Sequence, residues 1–529
     1  MKRIFFSILI SALFLQTNAQ ELKTKINWFN LDYEKDGVRG MSVERAYNEL
    51  LKDKKSTSVV VAVIDGGTDI NHEDLKDRLW TNTKEIAGNG KDDDKNGFID
   101  DINGWDFLGG KDGTDVSHEQ LELTRLLKQL KDKFGDKPSK KMLRKNKAEY
   151  EQMQALQKEF DEKKAESEQY APFYKQLYTN YLESETVLKE YLKTQTLTKD
   201  AVLGIDEGQA DRKVRAAKKT IEKFNELGAT GADIKEAAEH YENELKYNFN
   251  LDFNARTVVG DKPNKLEYGE YGNSEVTGPE AMHGSHVAGI IGANRTNNLG
   301  IMGVCNDVKI MVVRTVPDGD ERDKDVANAI RYAADNGASI VNMSFGKKYS
   351  PEKKWVDEAV KYAQSKGVLL IAAAGNDNLD TDVEGQYPND QYNGGGVAEN
   401  WISVGALSWK PGADAVATFS NYGKKNVDVF APGVDIYSTT PRSKYEEKSG
   451  TSMAAPATTG VAALLKSYFP DLTATQIKKI ILESTVKVPD LRVKKPGSEE
   501  IVKFEDLSVT GGIVNAYNAV KMAMEMEMK

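Results

Sequence analysis

Two of the five histidines in the chain lie together in the stretch MHGSHVAGIIGA, at His283 and His286. An imidazole can act as a base near neutral pH, and two histidines at this spacing can also share one helical face as zinc ligands. A zinc peptidase motif would place a glutamate beside the first histidine, as in H-E-x-x-H. Only Gly284 and Ser285 separate the pair. The pattern therefore argues against a zinc site, and it leaves open whether one of the two histidines is a base or both are polar residues of a buried helix.

Two further stretches supply partners for such a base. VVVAVIDGG places Asp65 at the end of an apolar run, and GTSMAAPATTGVAALL places Ser452 just before a run of small residues. A serine hydroxyl is a weak nucleophile unless a base takes its proton, and a carboxylate can hold the imidazole in the required tautomer. Taken singly, Asp65 could be a strand-end cap and Ser452 a helix cap. Spacing alone does not show that the three groups meet.

The candidate residues follow or adjoin apolar runs that predict buried strands. Helical patterns that end in glycine, such as RDKDVANAIRYAADNG, separate several of these runs. Strand–helix alternation predicts an α/β fold with a parallel sheet covered by helices on both faces. Functional loops of such a sheet gather at the carboxyl ends of its strands. The six runs are SVVVAVI (58–64), KIMVVR (309–314), SIVNMSFG (339–346), GVLLIAAAGN (367–376), WISVGAL (401–407) and VDVFAPG (427–433).

Residues 115–250 differ in composition from the rest of the chain. They are rich in Lys, Glu and Gln, with almost no glycine before Gly204. We predict three or four long amphipathic helices that form an inserted α-helical subdomain. This insertion could simply decorate the surface, or it could serve regulation, folding assistance, partner binding or self-association. Apolar residues recur in it at helical spacing, as in Leu123, Leu127, Leu130 and Phe134, and again in Phe173, Leu177 and Tyr181.

The three stretches, in the order Asp, His, Ser, resemble the signature blocks of the subtilisin-like serine proteases, or subtilases. The resemblance implies a three-layer α/β fold with a central parallel sheet, and a secreted endopeptidase that works through an acyl-enzyme. By position in the blocks, Asp65 resembles the orienting carboxylate, His283 the general base and Ser452 the nucleophile. Asn376, in AAAGN, resembles the side-chain donor to the oxyanion, beside the backbone N–H of Ser452.

The resemblance also extends to the substrate cleft. NMSFG resembles the strand that pairs with the substrate backbone, so it implies that Ser344, Phe345 and Gly346 line the cleft. Ala374 and Gly375 would form another wall of the first specificity pocket. A substrate that binds as an added strand is held mainly by hydrogen bonds to its backbone, and such binding implies extended or unfolded peptide substrates. The family often has leucine where Phe345 stands, so substrate preference does not carry over.

A calcium loop is predicted in GNGKDDDKNGFIDDINGWDF. Its first half matches the EF-hand pattern D-x-D-x-N-G, and five aspartates within ten residues repel one another unless a cation or solvent screens them. The glutamate usual at the twelfth position is replaced by Asn103, and a solvated acidic turn is the alternative. Similar loops occur in some subtilases. The predicted ligands are Asp92, Asp94, Asn96, the carbonyl of Phe98, and Asp100 or Asp101.

The first residues, MKRIFFSILISALFLQTNAQ, are typical of a secretory signal peptide cut after Ala19. A transmembrane anchor is the alternative, although spanning a bilayer takes about 20 apolar residues. We expect an exported protein, periplasmic or extracellular, with no membrane anchor and too little chain before the first strand for a full pro-domain. The predicted organisation is signal peptide 1–19, lead-in 20–56, first peptidase part 57–114, helical insertion 115–250 and second peptidase part 251–529.

Composition narrows the classes of partner. A formal net charge of −10 argues against a nucleic-acid partner, and a single cysteine, Cys305, excludes an internal disulfide framework. Peptides or unfolded proteins are the expected substrates. Two rivals to the enzyme remain, namely a catalytically silent subtilase fold that binds peptides, and a scaffold in which the helical insertion mediates assembly.

Overall fold

The computed structural model describes residues 26–269 and 271–528, so the predicted signal peptide lies outside the described residues. The chain divides into two compact units. The peptidase unit is formed by the residues up to Ser117 together with those from Ala255 onward, and the helical unit is His118–Asn254. The helical unit overlaps the insertion predicted at 115–250. Among the described helices, none is both long enough and apolar enough to cross a membrane.

The peptidase unit is built on a nine-stranded sheet with two separate hairpins. Each of the six apolar runs overlaps one strand of this sheet, which confirms them as strands. The strands in chain order are β1 (Val59–Asp65), β2 (Gly104–Asp106), β3 (Val308–Arg314), β4 (Ile340–Met343), β5 (Leu369–Ala373), β6 (Trp401–Leu407), β7 (Val429–Pro432), β8 (Ile436–Thr440), β9 (Lys444–Lys448), β10 (Val486–Lys487), β11 (Arg492–Lys494), β12 (Ile501–Lys503) and β13 (Gly512–Ile513).

The sheet order is β10-β13-β7-β6-β5-β4-β1-β3-β2. Its pairs are parallel except β10–β13, while the two hairpins, β8–β9 and β11–β12, are antiparallel. Register aligns the carboxyl ends of the central strands, because Ile64 of β1 lies opposite Met343 of β4, and Met343 lies opposite Ala372 of β5. The loops that follow β1, β4 and β5 therefore leave the sheet side by side.

Helices cover the sheet and build the second unit, so the α/β class is confirmed. Their bounds are α1 (Tyr33–Asp36), α2 (Val43–Ala46), α3 (Glu122–Phe134), α4 (Lys140–Lys145), α5 (Lys147–Leu192), α6 (Lys199–Leu203), α7 (Arg212–Glu226), α8 (Gly231–Asn243), α9 (Arg256–Val259), α10 (Met282–Gly292), α11 (Asp323–Asp335), α12 (Lys353–Ser365), α13 (Thr451–Tyr468), α14 (Ala474–Glu483) and α15 (Ala516–Glu527).

The central strand β1 is buried on both faces. Val61 and Val63 belong to a core shared with α10 and α13, and the alternate residues Ala62 and Ile64 are also fully buried. Successive side chains of a strand point to opposite faces, so helices must cover both sides of it. A strand covered in this way holds Asp65, at its end, in a fixed place.

The helical unit packs around the 46-residue helix α5. Leu123, Leu127, Leu130 and Phe134 of α3 are buried, as the helical spacing predicts. Phe173 departs from the prediction, because its side chain is 55% exposed instead of buried against the other helices. It follows Pro172 in the middle of α5, where Ala171 occupies the buried position.

Candidate active site

Asp65 is the last residue of β1, and its carboxylate faces His283. The Nδ1 atom of His283 lies 2.8 Å from Oδ1 and 3.0 Å from Oδ2 of Asp65. Oδ1 also accepts the backbone N–H of Gly66 at 2.8 Å. A carboxylate that accepts from Nδ1–H fixes the neutral imidazole with its lone pair on Nε2. The pair therefore presents His283 as a base through Nε2.

His283 is the second residue of α10, and the start of this helix lies against the loop after β1. A Cβ atom on Gly284 would lie 2.1 Å from the carbonyl oxygen of Gly67, so only glycine allows this approach. The side chain of His283 is 38% exposed, whereas that of Asp65 is 4% exposed. Burial of the ring lowers the pKa of His283, but the charge and hydrogen bond of Asp65 outweigh it and raise the pKa above its ordinary value.

Ser452 is the second residue of α13, but its hydroxyl is not bonded to His283. The hydroxyl donates to the backbone carbonyl of Ser344 at 3.0 Å, and the Ser344 hydroxyl donates in return to the carbonyl of Ser452 at 2.9 Å. The structure thus joins Asp65 to His283, and it bonds the hydroxyl of Ser452 to the loop that follows β4. Hydrogen bonds between catalytic groups are often long or absent in a site without substrate.

Asn376, in the loop after β5, has its amide orientation fixed by Thr451. Its Oδ1 accepts both the backbone N–H and the hydroxyl of Thr451 at 2.9 Å, which leaves Nδ2 as the outward donor. A Cβ placed on Gly450 would lie 3.5 Å from both Asn376 Nδ2 and the backbone nitrogen of Ser452. The N–H of Ser452 is in the first turn of α13 and has no intrahelical acceptor. Two N–H donors therefore meet beside the serine.

The residues expected to line the cleft follow two adjacent parallel strands. Ser344, Phe345 and Gly346 come after β4, and Ala374 and Gly375 come after β5. Ser344 is 3% exposed and its hydroxyl is engaged within the protein, while Phe345 and Gly346 are partly exposed. Both segments leave the carboxyl edge of the sheet next to Ser452, as a cleft wall must.

The other candidate histidine, His286, is fully buried in α10. Its Nε2 atom donates to the carbonyl of Glu446 at 3.1 Å, and burial lowers the pKa of its ring to about 3. His72 is also buried, with Nε2 donating to the carbonyl of Lys444 at 3.0 Å. Both rings hold strand β9 in place. No group of three potential metal ligands among the described residues includes a histidine.

The predicted calcium loop brings Asp92 and Asp94 together with a residue that the sequence pattern did not indicate. Carboxylate oxygens of Glu85, Asp92 and Asp94 all lie within 4.8 Å of one another. Glu85 precedes the D-x-D-x-N-G pattern, so the spacing gives no signal for it. Its Oε1 accepts the backbone N–H groups of Asp93 and Asp94 at 2.8 and 3.0 Å, which fastens the loop.

The other predicted side-chain ligands, Asn96, Asp100 and Asp101, already make hydrogen bonds within the protein. Asp100 accepts the backbone N–H of Gly90 at 2.8 Å, and Asn96 uses its Oδ1 to accept the N–H of Phe98. Asp101 is buried and accepts the hydroxyl of Tyr332 at 2.7 Å. Burial raises the pKa of Asp101 to about 6. The backbone N–H of Asn96 donates to Asp92 and Asp94 at 3.0 Å, and that of Asp100 donates to Glu85 at 3.1 Å, so Asn96 and Asp100 adjoin the group of three carboxylates.

The carboxyl edge of the parallel sheet thus carries a carboxylate–imidazole pair and, at a helix start, a serine. This set of groups is typical of α/β proteins suited to nucleophilic serine chemistry. A family model described as the Subtilase family matches residues 56–503. The chain therefore belongs to the Subtilase family.

Curated proteins similar to this chain include the following three, two of which are named serine proteinase or serine protease. The Thermophilic serine proteinase of Bacillus sp. (strain AK1) is 38% identical over 239 residues, which cover 45% of this chain and 52% of that protein. Thermitase of Thermoactinomyces vulgaris is 40% identical over 207 residues, covering 39% and 68%. The Major intracellular serine protease of Bacillus subtilis (strain 168) is 38% identical over 189 residues, covering 35% and 55%. The matched part thus spans about half the length of the first and last of these relatives.

A solved structure described as proteases from Pseudoalteromonas arctica PAMC 21717 is also similar. It is 31% identical, with 46% of this chain and 70% of that chain covered, at a TM-score of 0.38. The family assignment rests on the sequence matches.

Proposed function

We propose that the chain is a serine endopeptidase that hydrolyses peptide bonds of extended polypeptides. The observation that carries this proposal is the hydrogen bond between His283 and Asp65, which leaves Nε2 of the ring as a base. The neighbouring helix start offers Ser452 as a nucleophile. The oriented amide of Asn376 and the N–H of Ser452 offer two donors for a developing oxyanion.

In the proposed reaction, the hydroxyl of Ser452 leaves the carbonyl of Ser344 and transfers its proton to Nε2 of His283. The serine oxygen bonds to the scissile carbonyl carbon, and the two N–H donors receive the oxyanion. His283 then gives the proton to the leaving amine as the C–N bond breaks, which forms the acyl-enzyme. Water, deprotonated by His283, attacks the acyl carbon and releases the acid and the serine. Asp65 stays ionised and stabilises the imidazolium.

Extended peptides are the proposed substrate class because the chain offers a partly exposed segment, Phe345–Gly346, beside Ser452. An added strand bonds through its main chain and places alternate side chains into pockets. Unfolded proteins present such segments, while folded ones seldom do.

Hydrolysis of a fluorogenic peptide by the purified chain and by its Ser452→Ala variant tests the proposal. We expect turnover by the natural chain and its loss in the variant, with peptide binding retained in both. A catalytically silent subtilase would bind the peptide equally well in both forms and cleave it in neither, which would refute the enzymatic proposal.

We further propose that the loop after Glu85 binds Ca²⁺. The fit is supported by three carboxylates grouped within 4.8 Å, since Ca²⁺ prefers clustered oxygen ligands. Glu85, Asp92 and Asp94 would hold the ion, and its charge would offset their mutual repulsion. Backbone N–H groups already donate hydrogen bonds to these carboxylates, and this bonding is the alternative to Ca²⁺ as the interaction that offsets their negative charge.

We also propose that the chain is exported to the periplasm or medium and that residues 1–19 are removed. The support is the sequence of these residues, with its basic start, apolar run and small residues before Gln20. Determining the N-terminal residue of the mature protein tests this proposal. A start at Gln20 is expected, whereas a retained Met1 in the exported protein would contradict it.

A further inference from the structure

The carboxamide of Gln386 lies between the two chain segments that follow β4 and β5. A Cβ atom placed on Gly375 would lie 2.0 Å from Oε1 of Gln386, and one placed on Gly346 would lie 2.6 Å from its Nε2. Real Cβ atoms essentially never come this close to another heavy atom. The amide therefore occupies the gap between the segments, and it fits only because both neighbours are glycines.

The segment that carries Gln386 is fixed to the protein on both sides of this residue. Tyr387 pairs with Lys347 through two backbone hydrogen bonds of 2.8 and 2.9 Å. The carbonyl of Gln386 accepts from Nδ2 of Asn389 at 2.7 Å. The side chain therefore extends into the gap from a held backbone.

A buried asparagine determines which way the amide of Gln386 faces. Oδ1 of Asn421 accepts the backbone N–H groups of Asp377 and Leu379 at 3.0 and 2.9 Å, so its other arm must be the NH₂ group. That Nδ2 donates to the carbonyl of Ala374 at 2.9 Å and to Oε1 of Gln386. An oxygen of Gln386 must face this donor, so the NH₂ group of Gln386 is its remaining arm.

The NH₂ group of Gln386 has no acceptor among the described residues. It lies close to Gly346 and Gly375, in the space between the loops after β4 and β5. A donor fixed there without a protein partner is available to an oxygen atom of a bound molecule. A site built to hydrogen-bond a substrate discriminates against analogues that lack the matching group.

We propose that Gln386 forms the floor of the pocket for the side chain that precedes the cut bond, and that its NH₂ group selects side chains carrying an oxygen acceptor. The inference rests on the proposed endopeptidase function. Because the amide fills the space between Gly346 and Gly375, the pocket is shallow and disfavours large aromatic side chains. Glutamine and other medium-length, oxygen-bearing side chains fit this description.

The test compares full-length protein with its Gln386→Met and Gln386→Gly variants on peptides that differ only in the residue before the cut bond. Glutamine and methionine form the matched pair, since they have similar length and only glutamine carries the oxygen. We expect the natural chain to favour glutamine over methionine by about tenfold in kcat/KM, the scale of one hydrogen bond to a neutral partner. Gln386→Met should reduce that ratio to about one.

Gln386→Gly tests the depth of the pocket. Removing the side chain of Gln386 should deepen the pocket, so that the ring of a phenylalanine peptide can enter it. We expect kcat/KM for that peptide to rise by about tenfold or more, the scale of filling an apolar pocket with a side chain. Gln391→Met, at an exposed glutamine of the same segment, is the matched control and should leave all ratios unchanged. An unchanged glutamine-to-methionine ratio in Gln386→Met would overturn the inference.

Binding separates failure of this inference from failure of the proposed function. Affinities of the same peptides are measured in the Ser452→Ala background, where no cleavage is needed. One outcome is that the natural chain cleaves no peptide, yet Gln386→Met lowers the glutamine-to-methionine ratio of affinities in the Ser452→Ala background. The endopeptidase proposal then fails, whereas the role of Gln386 in selecting the side chain stands. If cleavage occurs but neither ratio responds to Gln386, only the assignment of Gln386 is overturned.

Discussion

Replacing Asp65 by asparagine changes the charge that faces His283 while keeping the size of the side chain. Oδ1 of Asp65 accepts the N–H of Gly66 at 2.8 Å, so the oxygen of an asparagine would remain on that donor. Its NH₂ group would then take the place of Oδ2, which lies 3.0 Å from Nδ1 of His283. An NH₂ group there requires Nδ1 to accept, which moves the ring proton to Nε2. The imidazole could then no longer take a proton from Ser452.

The expected loss is about 10⁴-fold in kcat, the scale known for the wrong tautomer in a serine triad. That factor corresponds to about 5 kcal/mol of transition-state stabilisation. KM should stay within about threefold, because Asp65 is 4% exposed and contacts no substrate in the proposed mechanism.

The pH dependence of the reaction should change as well. His283 must be neutral to act, so activity falls as pH decreases through its pKa, which Asp65 raises above the ordinary value of 6.5. Without that charge, burial of the ring is unopposed and lowers the pKa, so the acid limb of the residual activity should move to lower pH.

Steady-state kinetics on one peptide across the pH range measure both effects. Asp77→Asn, at an exposed aspartate, is the matched control and should behave as the natural chain. An Asp65→Asn variant with kcat within tenfold of the natural value and an unmoved acid limb would refute the assignment of His283 as the base.

Four further substitutions, deletions or treatments have defined outcomes. Asn376→Ala should lower kcat by about 10²–10³ with little change in KM, because one oxyanion donor is lost, and an equal rise in KM instead would contradict that role. A chelator should lower the Tm of the natural chain but not of Glu85→Gln, and the absence of any chelator effect on the natural chain would contradict the calcium proposal. Arg314→Met should destabilise the fold by about 3–5 kcal/mol in denaturant titrations, since Asp106, bonded to it at 2.8 Å, is left buried without its partner, and a change below about 1 kcal/mol would contradict this reasoning. Deleting residues 118–254 should reduce the yield of soluble enzyme, as folding assistance by the helical unit requires, and an unchanged yield would contradict that role.

The sheet could be predicted from the sequence because each central strand is a short apolar run. The strands within the runs that end at Ile64 and Asn376 are buried on both faces, so nearly all their residues are apolar. An uninterrupted apolar run of this length predicts a buried strand. Strand β2, Gly104–Asp106, has only three residues and no such run, so it was not predicted. The exposed ring of Phe173 likewise depends on how α5 is packed, which helical spacing does not specify.

The site residues could be named from motifs, but their hydrogen bonds could not. The bond from Ser452 to the carbonyl of Ser344 depends on a side-chain torsion, and the fixed amide of Asn376 depends on Thr451. Glu85 joins Asp92 and Asp94 through loop geometry, with no spacing rule to point to it. Gln386 lies in a loop that lacks any periodic pattern, and only the close approach of two glycines reveals its position.

The central claim is that Ser452 is a nucleophile activated by His283. The most direct measurement is the intact mass of the protein after treatment with a fluorophosphonate, followed by mapping of the modified residue. One adduct per chain on Ser452 is expected, absent in Ser452→Ala and strongly slowed in His283→Ala. An unmodified natural chain, or an adduct on another residue, would contradict the account.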